Sequence, residues 1–175
     1  MTRVPLADVD QVRRLTDGRR PLNVLRLLAN APNVFGGWSE MVGEIFNSPT
    51  FSARLREVII LRVGHLQNSP YELAQHVVMA HAAGLTDQQI DALLDAGDID
   101  AAGFSPDERT LIDVVTELCE THRLRDETFA AAHALLGDEA LTELLMIVSC
   151  YYGLALVLNA VDLEIDAPPR TGEAR

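Results

Sequence analysis

The chain has 175 residues, 48% hydrophobic and only 5% aromatic, with 26 acidic against 14 basic residues and a formal net charge of -12. All of the basic residues are arginine, which excludes a Schiff-base lysine, the usual attachment of pyridoxal phosphate and a P-loop lysine. The acidic excess repels nucleic-acid backbones and anionic membrane surfaces, and so few aromatics offer little stacking for single strands.

At roughly 150 residues per domain the length predicts one domain, enough to bury about 70% of the unfolded surface without staples. The elements are helical throughout. Pro21 to Asn30 and Pro32 to Phe46 read as helices opened by proline in the first turn. Asn47-Ser48-Pro49-Thr50 is a turn, and Ser52 then begins the run Arg54 to Gln67. Val58-Ile59-Ile60-Leu61 alone could pass for a buried strand, but the length of the run favours a helix. That helix has almost no polar face, so it is expected to be buried, with Glu57, Arg62 and His65 embedded in it. Pro70 starts a helix that Gly84 closes, Thr86 and Gln89 have capping-box spacing, and Ser105-Pro106-Asp107-Glu108 opens a helix to about His122. Asp126 to Leu136 is closed by Gly137, and Asp138 to Val161 is a long apolar helix. The expectation is an all-α single domain over residues 1–165, with a flexible tail over 166–175.

Leu144 to Leu158 carries no charge, yet it is short of the ~20 residues that span a bilayer. Ser149, Tyr151, Tyr152 and Gly153 interrupt it and its flanks are acidic, which fits the central helix of a soluble protein. Cys119 and Cys150 form no Cys-x-x-Cys pair and read as small buried apolar residues. The start of the chain lacks the apolar run of a signal peptide, so a cytoplasmic location is expected.

The chemically informative stretch is Glu57 to Gly84. A carboxylate in an apolar helix is costly unless paired, so Glu57 needs Arg54, Arg62 or a histidine beside it. His76 follows Glu72 by four residues and shares its helical face, which suits an exposed pair, a metal half-site or an acid–base pair. The chain has no His-x-x-x-His pair and no usual zinc spacing, so no metal is expected. His81 falls off the face of His76, and His122 and His133 read as structural or surface residues.

The string Leu55-Arg56-Glu57-Val58-Ile59-Ile60-Leu61-Arg62-Val63-Gly64-His65 resembles the carboxymuconolactone decarboxylase family, which includes alkyl hydroperoxidase D. Its continuation, Tyr71-Glu72-Leu73-Ala74-Gln75-His76 and then Ala83-Gly84-Leu85, resembles the same family. The resemblance implies an alkyl hydroperoxidase D-like helical bundle, assembled as a trimer or hexamer. The peroxidase members carry Glu, then Cys-x-x-Cys, then His. Laid on this chain, that pattern puts the glutamate on Glu57 and the histidine on His76, with Ser69 and Glu72 in the cysteine positions. Tyr71 stands where the peroxidase has a histidine between its cysteines. Serine and glutamate can neither attack a peroxide as a thiolate nor form a resolving disulfide.

The resemblance therefore points to the decarboxylase branch, which acts without cofactor on a carboxylated lactone. It implies a lyase or proton-transfer enzyme on a small cyclic acid or lactone, with His76 as acid–base group and Glu57 orienting it. Tyr71, His65, Glu72 and Arg62 are the candidate substrate-binding residues. Two other classes stay open: a redox protein using Cys119 or Cys150, and a non-catalytic oligomeric binding module.

Overall fold

The computed structural model describes residues 2–15 and 21–167. Among them every regular element is a helix: α1 (Val9–Leu15), α2 (Asn23–Leu28), α3 (Pro32–Phe46), α4 (Ala53–Leu66), α5 (Pro70–Ala82), α6 (Asp87–Leu93), α7 (Pro106–Thr121) and α8 (Asp126–Ala160). The described residues up to Asn47, together with those from Leu158 onward, form one compact unit, and Ser48–Val157 forms another.

In the first unit the short α1 has no counterpart among the sequence expectations. Its anchor is local: Asp8 Oδ1 accepts from the backbone N–H groups of Asp10 and Gln11, and Val12 is fully buried with Ala7 and Ala29. One carboxylate cap and one apolar contact are too little periodicity to announce seven helical residues. Asp166, the first residue of the expected tail, accepts from the Asn23 N–H at 2.9 Å. Residues 168–175 of that tail lie outside the described residues.

The second unit is built around α4, in which every residue from Arg56 to Gly64 is buried. α4 packs chiefly against α5 and α7, and less extensively against α6. Val58 and Leu61 join Ala80, Leu85, Ile90, Leu93, Phe104 and Ile112 in one apolar cluster. The helix starts are secured as the sequence indicates. Ser52 accepts from Leu55 N–H, and Thr86 with Gln89 and Ser105 with Glu108 both close full capping boxes. Arg54 ties these starts together: its guanidinium donates to Glu108 at 2.7 Å, to Gln89 at 3.0 Å and to the Gly84 carbonyl at 2.8 Å. Gly64 lets α5 come close, since a Cβ there would stand 3.3 Å from Leu73 and 3.4 Å from the Glu72 Cβ.

α8 is two helices end to end. Gly137, at φ 68° and ψ −175°, breaks it where the sequence places a closing glycine. That backbone region is nearly closed to residues with a Cβ, although nothing lies within 4 Å of a Cβ added there. Gly137→Ala is therefore expected to cost about 1–3 kcal/mol through backbone strain alone, measured as a lower urea midpoint. The limb after Gly137 is apolar on both sides. Leu144, Ile147, Tyr151 and Ala155 are buried, whereas Met146, Leu156 and Val157 are exposed. By length and composition α8 could cross a membrane, with half of its most apolar window buried in the protein. Its burial is thus one-sided rather than complete.

Candidate functional site

Within the second unit, a three-residue turn, Gln67 to Ser69, returns α5 along α4. It sets His76 opposite Glu57, 19 positions earlier. The His76 Nδ1 donates to Glu57 Oε2 at 2.7 Å, and both side chains are buried. Of the partners the sequence allows for Glu57, the histidine is the one realised. Arg56, absent from the sequence expectations, places its Nε 3.4 Å from the other Glu57 oxygen. On the far side of the imidazole, Glu72 Oε2 lies 3.5 Å from His76 Nε2. The imidazole is thus flanked by two carboxyl groups, all three residues being at least nine-tenths buried.

The two carboxyl groups have different surroundings. Burial, above all, raises the Glu72 pKa above its ordinary value, the Glu57 charge pushing the same way and His76 opposing it. Tyr151, from the apolar limb of α8, packs its ring edge-on to His76 at 5.3 Å and 88°. Burial, joined by the Glu72 charge, holds the Tyr151 hydroxyl well above its usual range, so it stays neutral. Tyr151 belongs to the cluster yet escapes sequence reasoning, because the uncharged stretch Leu144 to Leu158 gives no periodic signal for the face that turns inward.

The remaining sequence candidates divide. Tyr71 is buried in the same helical turn as Glu72. Ser69, at the N-cap of α5, is fully buried, and its hydroxyl has no hydrogen-bond partner among the described residues. Arg62 and His65 do not join the cluster. Arg62 donates to Thr116 Oγ1 at 2.9 Å, to the Leu93 carbonyl at 3.1 Å and to Asp95 at 2.6 Å. His65 Nε2 lies 2.8 Å from the other Asp95 oxygen. The reason is helical geometry: five and eight residues after Glu57 the direction has turned by about 140° and 80°. The hydrogen bond from Arg62, foremost, lowers the Asp95 pKa.

Among the described residues no group of three or more His, Cys, Asp or Glu side chains is arranged to hold a metal ion. A cleft of about 1050 Å³ beside α7 and the first limb of α8 is lined by Asp113, Glu117, Glu120 and Arg125, among others, and includes none of the cluster residues. The cysteines are free and buried. Burial foremost pushes each thiol up to about 11, with the Glu72 charge adding to the effect at Cys150. A shift from 9.0 to about 11 leaves roughly a hundredfold less thiolate than an ordinary cysteine. Both thiols should therefore react with a disulfide reagent in the folded protein at least tenfold more slowly than in urea, as followed by thiolate release.

The geometry defines an all-helical protein with a buried carboxyl–imidazole–carboxyl cluster shared by two adjacent helices. The sequence profile of the carboxymuconolactone decarboxylase family matches residues 32–117, which include Glu57, Glu72 and His76. A peroxidase-related protein from Silicibacter sp. has the same fold at a TM-score of 0.79 and 16% identity, covering 95% of this chain and 92% of that one. Another, described as an alkylhydroperoxidase AhpD core, from Ralstonia eutropha, matches at 0.79 and 17% identity over 94% and 92%. A debrominase in complex with 2,3,4-tribromopyrrole matches at 0.68 and 16% identity over 90% and 84%. No curated protein matches the sequence. Over residues 32–117 the chain is thus similar to the carboxymuconolactone decarboxylase family, and it shares the helical fold of the AhpD-like structures.

Proposed function

We propose that this chain is a cofactor-independent acid–base enzyme, a lyase or related proton-transfer catalyst acting on a small cyclic acid or lactone. The observation that carries the reading is the 2.7 Å contact between Glu57 and His76 inside a buried site. A carboxylate on Nδ1 fixes the imidazole's orientation and tautomer, leaving Nε2 to exchange a proton with a substrate. Loss of carbon dioxide from a carboxylated lactone leaves electron density on a conjugated carbonyl, and a proton must then reach carbon. A water-poor site with an oriented imidazole meets that demand. The thiol route of the family's peroxidases is disfavoured: Ser69 and Glu72 occupy the cysteine positions, and both cysteines are strongly protonated.

The proposed setting is cytoplasmic, in keeping with free thiols, with a small molecule as partner rather than nucleic acid or membrane. Assembly as a homo-oligomer, a trimer or hexamer, is supported by the exposed Met146, Leu156 and Val157 on one uncharged stretch of helix, Leu144 to Leu158. The test is incubation with carboxymuconolactone. Enzyme-dependent release of carbon dioxide is the expected result, and release no faster than background removes that substrate. The near-complete burial of the cluster favours a second reading, a non-catalytic module that keeps Glu57 and His76 as a structural pair. Its signature is a stable oligomer that turns over no lactone and whose His76 resonances do not move between pH 5 and 9.

A further inference from the structure

His76 is approached by a carboxyl group on each ring nitrogen, but the two contacts differ. The Glu57 contact, at 2.7 Å, is a short charge-assisted hydrogen bond, and Arg56 stands 3.4 Å from the other oxygen of the same carboxylate. The Glu72 contact, at 3.5 Å, is too long for a hydrogen bond. If His76 were an imidazolium and Glu72 a carboxylate, two unlike charges would face each other in a buried place. Such a pair closes to about 2.7–2.9 Å to offset its desolvation. The open distance fits the other arrangement of the same proton, a neutral imidazole with Nδ1–H on Glu57 and a neutral Glu72. The net charge is the same in both, because they differ only in whether one proton sits on His76 or on Glu72.

The other titratable groups of the cluster agree. Burial, foremost, holds Cys150 and Tyr151, from α8, protonated, so neither brings a charge to Glu72. No cation comes to Glu72 from that helix, which has neither Arg nor Lys. Glu57 adds a like charge from α4.

We propose that Glu72 carries the transferable proton of this site at neutral pH and delivers it to substrate, while His76, backed by Glu57, relays the solvent proton that restores it. This rests on the acid–base reading above and assigns its two roles to separate groups. In the balanced step, the lactone's C–CO2⁻ bond breaks and its electron pair enters the conjugated carbonyl to give a dienolate. The Glu72 O–H then gives its proton to carbon, and Glu72 is left as a carboxylate. A proton from water, relayed through His76 Nε2, restores it. No oxidant or reductant is required. In the peroxidases this position is a cysteine; here it is a carboxyl group, which can hold a proton but cannot do disulfide chemistry.

The test places the proton without turnover. Infrared spectra of the full chain at pH 7 should show a protonated-carboxyl band that is lost in Glu72→Gln and kept in Glu57→Gln. A band lost with Glu57→Gln instead, or no such band in the wild type, overturns the proposal. Nitrogen NMR of His76 in the wild type covers the case in which a variant does not fold. A neutral ring protonated on Nδ1 is expected, and an imidazolium at pH 7 overturns the assignment. On carboxymuconolactone, Glu72→Gln should lower kcat by about 10²–10⁴-fold, and unchanged kcat would remove the donor role. Absence of turnover in the wild type counts against the lactone reading, while the infrared and NMR results still decide where the proton resides.

Discussion

Glu57→Leu is expected to destabilise the fold by about 3 kcal/mol, seen as a lower urea midpoint with little change in slope. The carboxylate is 1% exposed, receives the His76 Nδ1–H and faces the buried Arg56 guanidinium. Leucine has nearly the same volume, so the loss comes from electrostatics rather than a cavity. The Arg56 charge loses a compensating anion, and an imidazole N–H loses its acceptor in a place water does not reach. Glu57→Gln separates the two contributions. It keeps an acceptor for Nδ1–H and removes only the charge, so about half the loss is expected. Equal midpoints for Glu57→Leu and the wild type would mean that the cluster is electrostatically idle. The acid–base reading would then lose its main support.

The helix boundaries were largely legible because they rest on local chemistry. Ser52, Thr86 and Ser105 cap their helices through their own hydroxyls, and Gly137 breaks α8 where only glycine takes the backbone angles without strain. The burial of α4 was legible too, since a run such as Val58-Ile59-Ile60-Leu61 has nowhere else to go. Cross-helix pairing was harder. In a helix buried on all sides no apolar stripe marks an inside face, so periodicity cannot say which of Arg54, Arg56 and Arg62 meets Glu57. Each found a different acid: Glu108 for Arg54, Glu57 for Arg56 and Asp95 for Arg62. Asp95 draws in both Arg62 and His65 from a positive-φ position just past α6, a tertiary placement with no trace in the spacing of α4. Tyr151 was hidden for the opposite reason, in the stretch Leu144 to Leu158, which has no charges to distinguish its sides.

His76→Asn should lower kcat on carboxymuconolactone by about 10²–10⁴-fold while leaving KM within a few-fold. Asparagine can still donate to Glu57 and roughly fills the ring's place, but it cannot take up and release a proton near neutral pH. The change therefore removes chemistry more than packing, and the urea midpoint should move much less than for Glu57→Leu. A merely structural His76 predicts the reverse, with stability lost and any turnover kept. A Cys119→Ala, Cys150→Ala double variant should keep its lactone turnover within a few-fold, because both thiols are held protonated at about 11 and neither occupies the position of Ser69 or Glu72. Loss of turnover in that variant, with His76→Asn still active, would transfer the chemistry from imidazole to sulfur.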